Sequence, residues 1–293
     1  MTFSVIGYDP RSGDAGMVIS TWALAVGSRV PTTEAGVGAV ATQANTNASL
    51  GPSVLDLLRQ GRSPRDAVET ALDGDSARDQ RQVVAVDTHG DVFAWTGATT
   101  KPWSGHLIAE NVATFGNLIV GEQVLTDAMT AYQTTEGELR DRLLAAYRAG
   151  QAAGGDAQGV QSAVLYIARI NTYPFIDLRV DDHTAPIDEL HRLAAIAERS
   201  IAPRLPQLEL DAPNSSRTGA TVTVRVVCDG QPIPTIAIQA NGVHRGLTAA
   251  DGTLAFIPAT AGDIYLIAAQ TPTATRAAAS YQFIPAVRWL RVE

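Results

Sequence analysis

The chain opens Met1-Thr2-Phe3-Ser4-Val5-Ile6-Gly7-Tyr8, an apolar, β-prone run that starts at its first residue. Successive side chains of a strand point to opposite faces, so Thr2 and Ser4 share one face while Phe3 and Val5 share the other. The position of Thr2 matters more than its type. Aminopeptidases remove an initiator Met when the next side chain is small, and Thr qualifies. Thr2 would then carry a free α-amine beside its own hydroxyl. A hydroxyl is a weak nucleophile that needs a base, and an α-amine with a pKa of about 7.7–8.0 is partly neutral near pH 7 and can serve. The bland reading of the same residues is an ordinary first strand with a processed end.

With 293 residues, 45% of them hydrophobic and 18% charged, the chain can bury a sizeable core in one large domain or two. It has no apolar run of 18 residues, so no membrane span is expected. No basic segment leads into an apolar one at the start, so no signal peptide is expected and the protein is placed in the cytoplasm. The formal charge is −8, lysine is nearly absent and the basic residues are scattered, which argues against nucleic-acid binding. The single cysteine, Cys228, excludes an internal disulfide or a multi-thiolate metal site and reads as a core residue in a strand.

Outward from the first strand, Asp9-Pro10-Arg11-Ser12-Gly13-Asp14 is dense in turn residues, and Gly16–Trp22 reads as a second strand, making an N-terminal hairpin. A strand over 36–43 leads to two short helices, 52–60 and 64–73, the second capped by Ser63 with Pro64 at its first position. Val83–Asp87 and Val92–Thr96 form another hairpin. After a connection containing Gly and Trp come a strand over 112–115, helices near 121–133 and 136–151, strands over 162–169 and 176–180, and a helix of about 186–202. Strand pairs separated by helix pairs favour antiparallel sheets with helices on their outer faces over a parallel doubly wound sheet. Residues 206–218, rich in Pro, Asn and Ser, read as a linker between a domain at 1–205 and a module at 219–293. The module is all β: four short strands with turns at Asp229-Gly230, Asn241-Gly242 and Asp251-Gly252 predict a β-sandwich.

The five histidines, His89, His106, His183, His191 and His244, show no metal-binding spacing, and Asp181-Asp182-His183 reads as a solvated strand end sooner than an ion site. There is no Gly-x-Ser-x-Gly, P-loop or GxGxxG signature. Thr42-Gln43-Ala44-Asn45-Thr46-Asn47 ends a strand and precedes a helix. Gln43, Asn45 and Asn47 either offer amides to a substrate or do helix-capping work. Asn117 follows a strand and either donates to an oxyanion or forms a turn. Trp103 and His106 either line a pocket or pack as a buried Trp with a satisfied His. Asp156, after Gly154-Gly155, either reaches a site or belongs to a helix stop.

Taken together, the pieces Thr2-Phe3-Ser4, Asp9-Pro10, Ala25–Pro31, Glu34–Ala44, Pro102–His106, Gly116-Asn117, Ala152–Asp156 and Asp177–His183 resemble, in order over residues 2–195, the domain-of-unknown-function 1028 family, which has an Ntn-hydrolase-like fold. The resemblance implies an α+β, four-layer αββα sandwich of two antiparallel sheets, followed here by a small immunoglobulin- or transthyretin-like all-β module. Gly246–Phe256 resembles the repeating turn of transthyretin-like modules. The family resemblance also implies amide-bond hydrolysis, with Thr2 as nucleophile and its α-amine as base; a small amide, imide or short peptide is the expected substrate, and no cofactor or metal is expected. To this we add our own expectations: Asn117 as an oxyanion donor, Gln43, Asn45, Asn47, Trp103, His106 and Asp156 around the substrate, and a homo-oligomer, a dimer. The alternative is a non-catalytic metabolite-binding protein that kept the fold. Two departures are visible. Ala157-Gln158-Gly159-Val160 lacks the Arg that relatives often carry there. Ala44-Asn45-Thr46-Asn47-Ala48-Ser49-Leu50-Gly51 lacks their Asn-Pro and aromatic.

Overall fold

The expected N-terminal hairpin forms as β1 (Thr2–Asp9) and β2 (Asp14–Thr21), paired from Phe3↔Ser20 to Asp9↔Asp14, and every residue of both strands is buried. A strand buried on both faces must be covered on both, and the rest of this unit supplies the covers. The computed structural model describes residues 1–169, 173–200, 208–270 and 286–293. The chain divides into two compact units, Met1–Asp9 with Asp14–Ser200, and Pro10–Gly13 with Ile201–Glu293.

In the first unit the chain continues through β3 (Pro31–Glu34), β4 (Gly38–Ala44), α1 (Leu50–Arg59), α2 (Pro64–Asp73), β5 (Arg81–Asp87), β6 (Val92–Thr96), β7 (Ser104–Ala109) and β8 (Val112–Asn117). It ends with α3 (Gln123–Thr134), α4 (Leu139–Ala152), β9 (Ser162–Ala168), β10 (Ile176–Val180) and α5 (Pro186–Ser200). One antiparallel sheet has the order β10-β9-β2-β1-β8-β7 and the other β3-β4-β5-β6. Ser63 caps α2 as expected, accepting from the Asp66 N–H at 3.1 Å with Pro64 at the first position.

Alternation along the strands sorts the core. Phe3 and Val5 pack with Leu125, Tyr132, Leu143 and Tyr147 of α3 and α4. Ile6, Tyr8, Met17 and Ile19 pack instead against Ala39, Ala41, Val84 and Val86 of the second sheet. Val40, Val83 and Ala85, on that sheet's other face, pack with Leu50, Val54, Val68 and Leu72 of α1 and α2. Truncating one of these buried aliphatic side chains to Ala would cost about 2–5 kcal/mol. Gly150 lets α4 come close to β1: a Cβ there would lie 2.3 Å from Phe3 Cζ.

In the first unit, the strands that the sequence did not announce lie at edges. β3 and β7 are half-buried and each pairs on one side only, so neither carries the alternation of a covered strand; β3 even starts with a proline, tolerated at an edge.

The second unit holds β11 (Glu209–Asp211), β12 (Ser215–Ser216), β13 (Val222–Cys228), β14 (Gln231–Pro232), β15 (Ile236–Ala240), β16 (Val243–Leu247), β17 (Thr253–Phe256), β18 (Gly262–Gln270) and β19 (Ala286–Val292). One sheet has the order β11-β13-β14 with β17 also on β13, the other β12-β19-β18-β15-β16. Val224, Val226, Ile238, Leu266 and Leu290 fill one core shared by both. At Asp229-Gly230 (φ 49° and 73°) and Asn241-Gly242 (φ 49° and 75°) both turn residues are left-handed, as a type I′ hairpin requires.

The expected linker needs correcting. Residues 206 and 207, the boundary at 205 and the end of the helix near 202 lie outside the described residues, but Glu209–Asp211 pairs with β13 and Ser215–Ser216 runs parallel to β19. Leu208, Leu210 and Ala212 are buried. Polar composition hid a segment that contributes every second side chain to the core.

Candidate functional site

Inward-facing positions of the first unit change character along their strands. Ile6, Tyr8, Val84 and Val86 make the inter-sheet layer apolar. At the other end the same faces present Thr2 and Ser4 (β1), Gln43 (β4), Gln82 (β5) and Asn117 (β8), all buried. Buried polar groups must find partners, and these find one another. Ser4 Oγ donates to Gln43 Oε1 at 2.6 Å. Gln43 Nε2 donates to Gln82 Oε1 at 2.8 Å and to the Thr2 carbonyl at 3.5 Å. Asn117 Nδ2 donates to Gln82 Oε1 at 3.2 Å. Gln82 Nε2 donates to Thr96 Oγ1 (2.9 Å) and to the carbonyls of Gly105 and Gly116, both at 3.0 Å. Having accepted from Gln82, Thr96 is free to donate to His106 Nδ1 at 2.8 Å. Burial lowers the His106 pKa, so the ring is neutral near pH 7.

This amide layer is the floor beneath the start of the chain. Thr2 pairs with Asn117 in the sheet. The hairpin register that sets Phe3 opposite Ser20 also brings Thr21 beside Thr2. Their hydroxyls are 3.4 Å apart, and both donate to the Met1 carbonyl.

Two cavities meet at Met1, Ala44 and Asn45. One, of about 350 Å³, includes Thr2, Thr21, Trp22, Leu24, Arg29 and Val30 in its walls. The other, of about 590 Å³, includes Asn45, Gln80, Thr99, Thr100, Lys101 and Asn117. Neither wall contains a carboxylate.

Asp156, a carboxylate that acts electrostatically on the amine at the chain start, is 4% exposed and bridged through its backbone to Ile119. Its Oδ1 accepts from the Gln158 N–H at 3.0 Å, and the Trp22 N–H also donates to the carboxylate, while Oδ2 has no partner. Burial pushes the Asp156 pKa up, partly offset by the amine at the chain start. That amine is pulled below its ordinary value chiefly by burial and in part by Lys101, against the opposing pull of Asp156. The buried Tyr147 hydroxyl, beside Ser20, is pushed well up by the same loss of water.

The expected site residues therefore divide. Thr2, Asn117, Asn45 and Asp156 surround the chain start. Gln43 lies beneath, its amide committed to Ser4, Gln82 and Thr2. Asn47 is spent locally: its Oδ1 accepts from the Ser49 N–H (3.2 Å) and hydroxyl (2.7 Å), and its Nδ2 donates to Asp75 at 3.2 Å, which is the capping alternative. Trp103 packs against the helix-side core and His106 is held by Thr96, and neither lines either of these two cavities. Asp181, Asp182 and His183 bond to Arg179, Gln161 and the Ala185 N–H. Thr21, Gln82 and Lys101 went unread. The hairpin register would have found Thr21. Lys101 is the only lysine in the sequence, and that rarity was the available signal.

A model of the family of unknown function DUF1028 matches residues 2–190. The chain belongs to this family. The crystal structure of protein SPO2555 from Silicibacter pomeroyi, assigned to the same DUF1028 family, superposes with a TM-score of 0.64 at 32% identity, covering 67% of this chain and 86% of that one. No curated protein matches the chain. The DUF1028 match spans β1 to α5, and so includes all the residues around the chain start. No described helix is long and apolar enough to cross a membrane.

Proposed function

We propose that this DUF1028 protein is an amide hydrolase of the N-terminal-nucleophile type, in which Thr2 becomes the first residue when Met1 is removed. The observation that carries the reading is the place of Thr2: buried at the start of a central strand, in the wall of the smaller cavity and next to Met1, where the two cavities meet. The stacking of α3 and α4 on one sheet, that sheet on the second, and the second on α1 and α2 supports an αββα Ntn-type sandwich.

The chemistry follows from the groups present. Thr2 Oγ1 attacks the substrate carbonyl while its α-amine takes the hydroxyl proton. Negative charge develops on the carbonyl oxygen. The Asn117 Nδ2 hydrogen not given to Gln82 and the Thr21 hydroxyl, which already donates to a carbonyl beside Thr2, are the oxyanion donors we assign. The C–N bond breaks as the ammonium returns its proton to the leaving nitrogen. Water, deprotonated by the same amine, then releases the acyl group from Thr2. Asp156 holds the amine electrostatically in place. Gln43 and Gln82 are positioning residues.

The test is N-terminal sequencing and intact mass of protein made without an N-terminal tag, followed by a screen of small amides with Thr2→Ala and Thr2→Ser alongside. The expected result is a chain starting at Thr2, turnover, its loss in Thr2→Ala and partial retention in Thr2→Ser. Turnover by a chain that keeps Met1, or full activity in Thr2→Ala, would overturn the proposal.

A further inference from the structure

Building on the hydrolase reading, we infer that the substrate carries a carboxylate on the Lys101 side of its scissile amide and an apolar acyl group on the Trp22 side, as an N-acyl amino acid does.

Three observations carry this. First, the chain uses arginine at every cationic position except Lys101. Many arginines of the first unit are tied to carboxylates, as Arg59, Arg65, Arg81, Arg169 and Arg192 are. Lys101 has no acidic partner among the described residues, and it stands in the wall of the larger cavity. An exposed ammonium is a compact, strongly hydrated point charge with rotatable donors, suited to meeting an anion that arrives from solvent. Second, the other polar side chains of that wall, Asn45, Gln80, Thr99, Thr100 and Asn117, are neutral; the Thr99 and Thr100 hydroxyls donate to the Asp79 and Gly97 carbonyls, and the amides of Asn45, Gln80 and Asn117 keep hydrogens to offer. A cavity with one cation, neutral donors and no carboxylate, in a chain of net charge −8, is complementary to an anion against the sign of the protein as a whole.

Third, the smaller cavity differs in kind. Trp22 and Leu24 line it and are 52% and 54% exposed, large apolar side chains left uncovered where a ligand would cover them. Its one cation, Arg29, donates to the Leu24 carbonyl at 3.2 Å. The two ends therefore orient the substrate one way only: acyl chain towards Trp22 and carboxylate towards Lys101, with the amide carbonyl between them at Thr2.

The test separates binding from turnover. The probes are the N-hexanoyl derivatives of glycine, alanine and phenylalanine and the corresponding carboxamides, titrated calorimetrically into Thr2→Ala protein, which cannot consume them. At least one carboxylate should bind tenfold or more tightly than its carboxamide. Lys101→Met in the same background should abolish that difference, and Lys101→Arg should keep most of it. The advantage should shrink as salt is raised. Equal affinity of carboxylate and carboxamide, no binding of any probe at millimolar concentration, or a preference that survives Lys101→Met would overturn the inference. The same probes given to protein starting at Thr2 test the parent reading separately. Preferred cleavage of carboxamides keeps the hydrolase and removes the anion site. Lys101-dependent binding of carboxylates without cleavage keeps the anion site and removes the hydrolase.

Discussion

Replacing Gln82 by Met asks how much of the site rests on one buried amide. The side chain keeps its length and loses its polar end. In the parent, Gln82 accepts from Gln43 at 2.8 Å and Asn117 at 3.2 Å, and donates to Thr96 at 2.9 Å and to the Gly105 and Gly116 carbonyls at 3.0 Å. Thr96 retains His106 and Gln43 retains Ser4 and the Thr2 carbonyl. Asn117, Gly105 and Gly116 each lose a partner. At about 1–3 kcal/mol for each of these three buried groups left unsatisfied, the expected loss is about 3–9 kcal/mol. That is a large share of a typical stability of about 5–15 kcal/mol. At about 2–4 °C per kcal/mol for a unit of this size, the melting transition should fall by at least about 6 °C. Differential scanning calorimetry with urea titration measures it. Activity should fall further than stability explains, because Asn117 loses the contact that aims its amide. Gln82→Glu tests the same point by another route. It keeps the acceptor but buries an acid whose folded pKa is raised, so its stability is greatest at low pH and is lost as pH rises through that folded value. A Tm for Gln82→Met within about 1 °C of the parent would refute the reasoning.

Asp156→Asn has a signed pH signature. Burial raises the Asp156 pKa, so the folded state binds the proton more tightly than the unfolded chain. The resulting stabilisation is complete below the unfolded value of about 3.9 and disappears as pH rises through the folded value. The Asn variant should therefore gain on the parent in moving from pH 3 to pH 8. It should also shift the acidic limb of kcat/KM to lower pH, since Asp156 no longer raises the pKa of the amine; a limb that stays put counts against the electrostatic role. Gly150→Ala places a methyl carbon 2.3 Å from Phe3 Cζ and should cost about 1–3 kcal/mol, read as a lower urea midpoint; an unchanged midpoint would show that α4 shifts freely. Arg169 grips Asp14 with two 2.7 Å hydrogen bonds and lies 3.7 Å over the Phe175 ring. Arg169→Met should lose about 3–5 kcal/mol by removing the cation that pairs with a buried carboxylate, and adding Asp14→Leu should recover much of it, which a double-mutant cycle measures.

Secondary structure was legible where burial imposes a period or a turn imposes a residue. Ser63-Pro64 marked the start of α2. The segments 83–87 and 92–96 stood out because Val83, Val84 and Val86 are buried. Asn241-Gly242 marked a hairpin because both residues must be left-handed. Illegible were β3 and β7, edge strands with half-buried residues, and β11, three residues long with only Leu210 buried. Low covered area leaves little pattern, and turn-rich composition around Pro206 and Pro213 outweighed it.

The site divides along a different line. Thr2 was visible because the proposed mechanism needs a small hydroxyl residue directly after a Met, and Met1-Thr2 has that spelling. Gln43 and Asn117 were visible as polar residues ending apolar strands, but their roles were not, because an amide aimed at a ligand and an amide aimed at another amide have the same spelling. Gln82 decides between them: by accepting from both, it turns Gln43 into floor and leaves Asn117 one hydrogen to offer. Asn45 and Asn47 make the same point two residues apart. One reaches Gln80 across the cavity rim and the other closes a turn onto Ser49. Lys101 is the converse case. Its identity was unique in the chain, yet only the return of β7 beside β8 sets the loop before it against the start of β1. The residues that would do chemistry were thus readable one at a time, while their division into floor, wall and nucleophile follows from strand register.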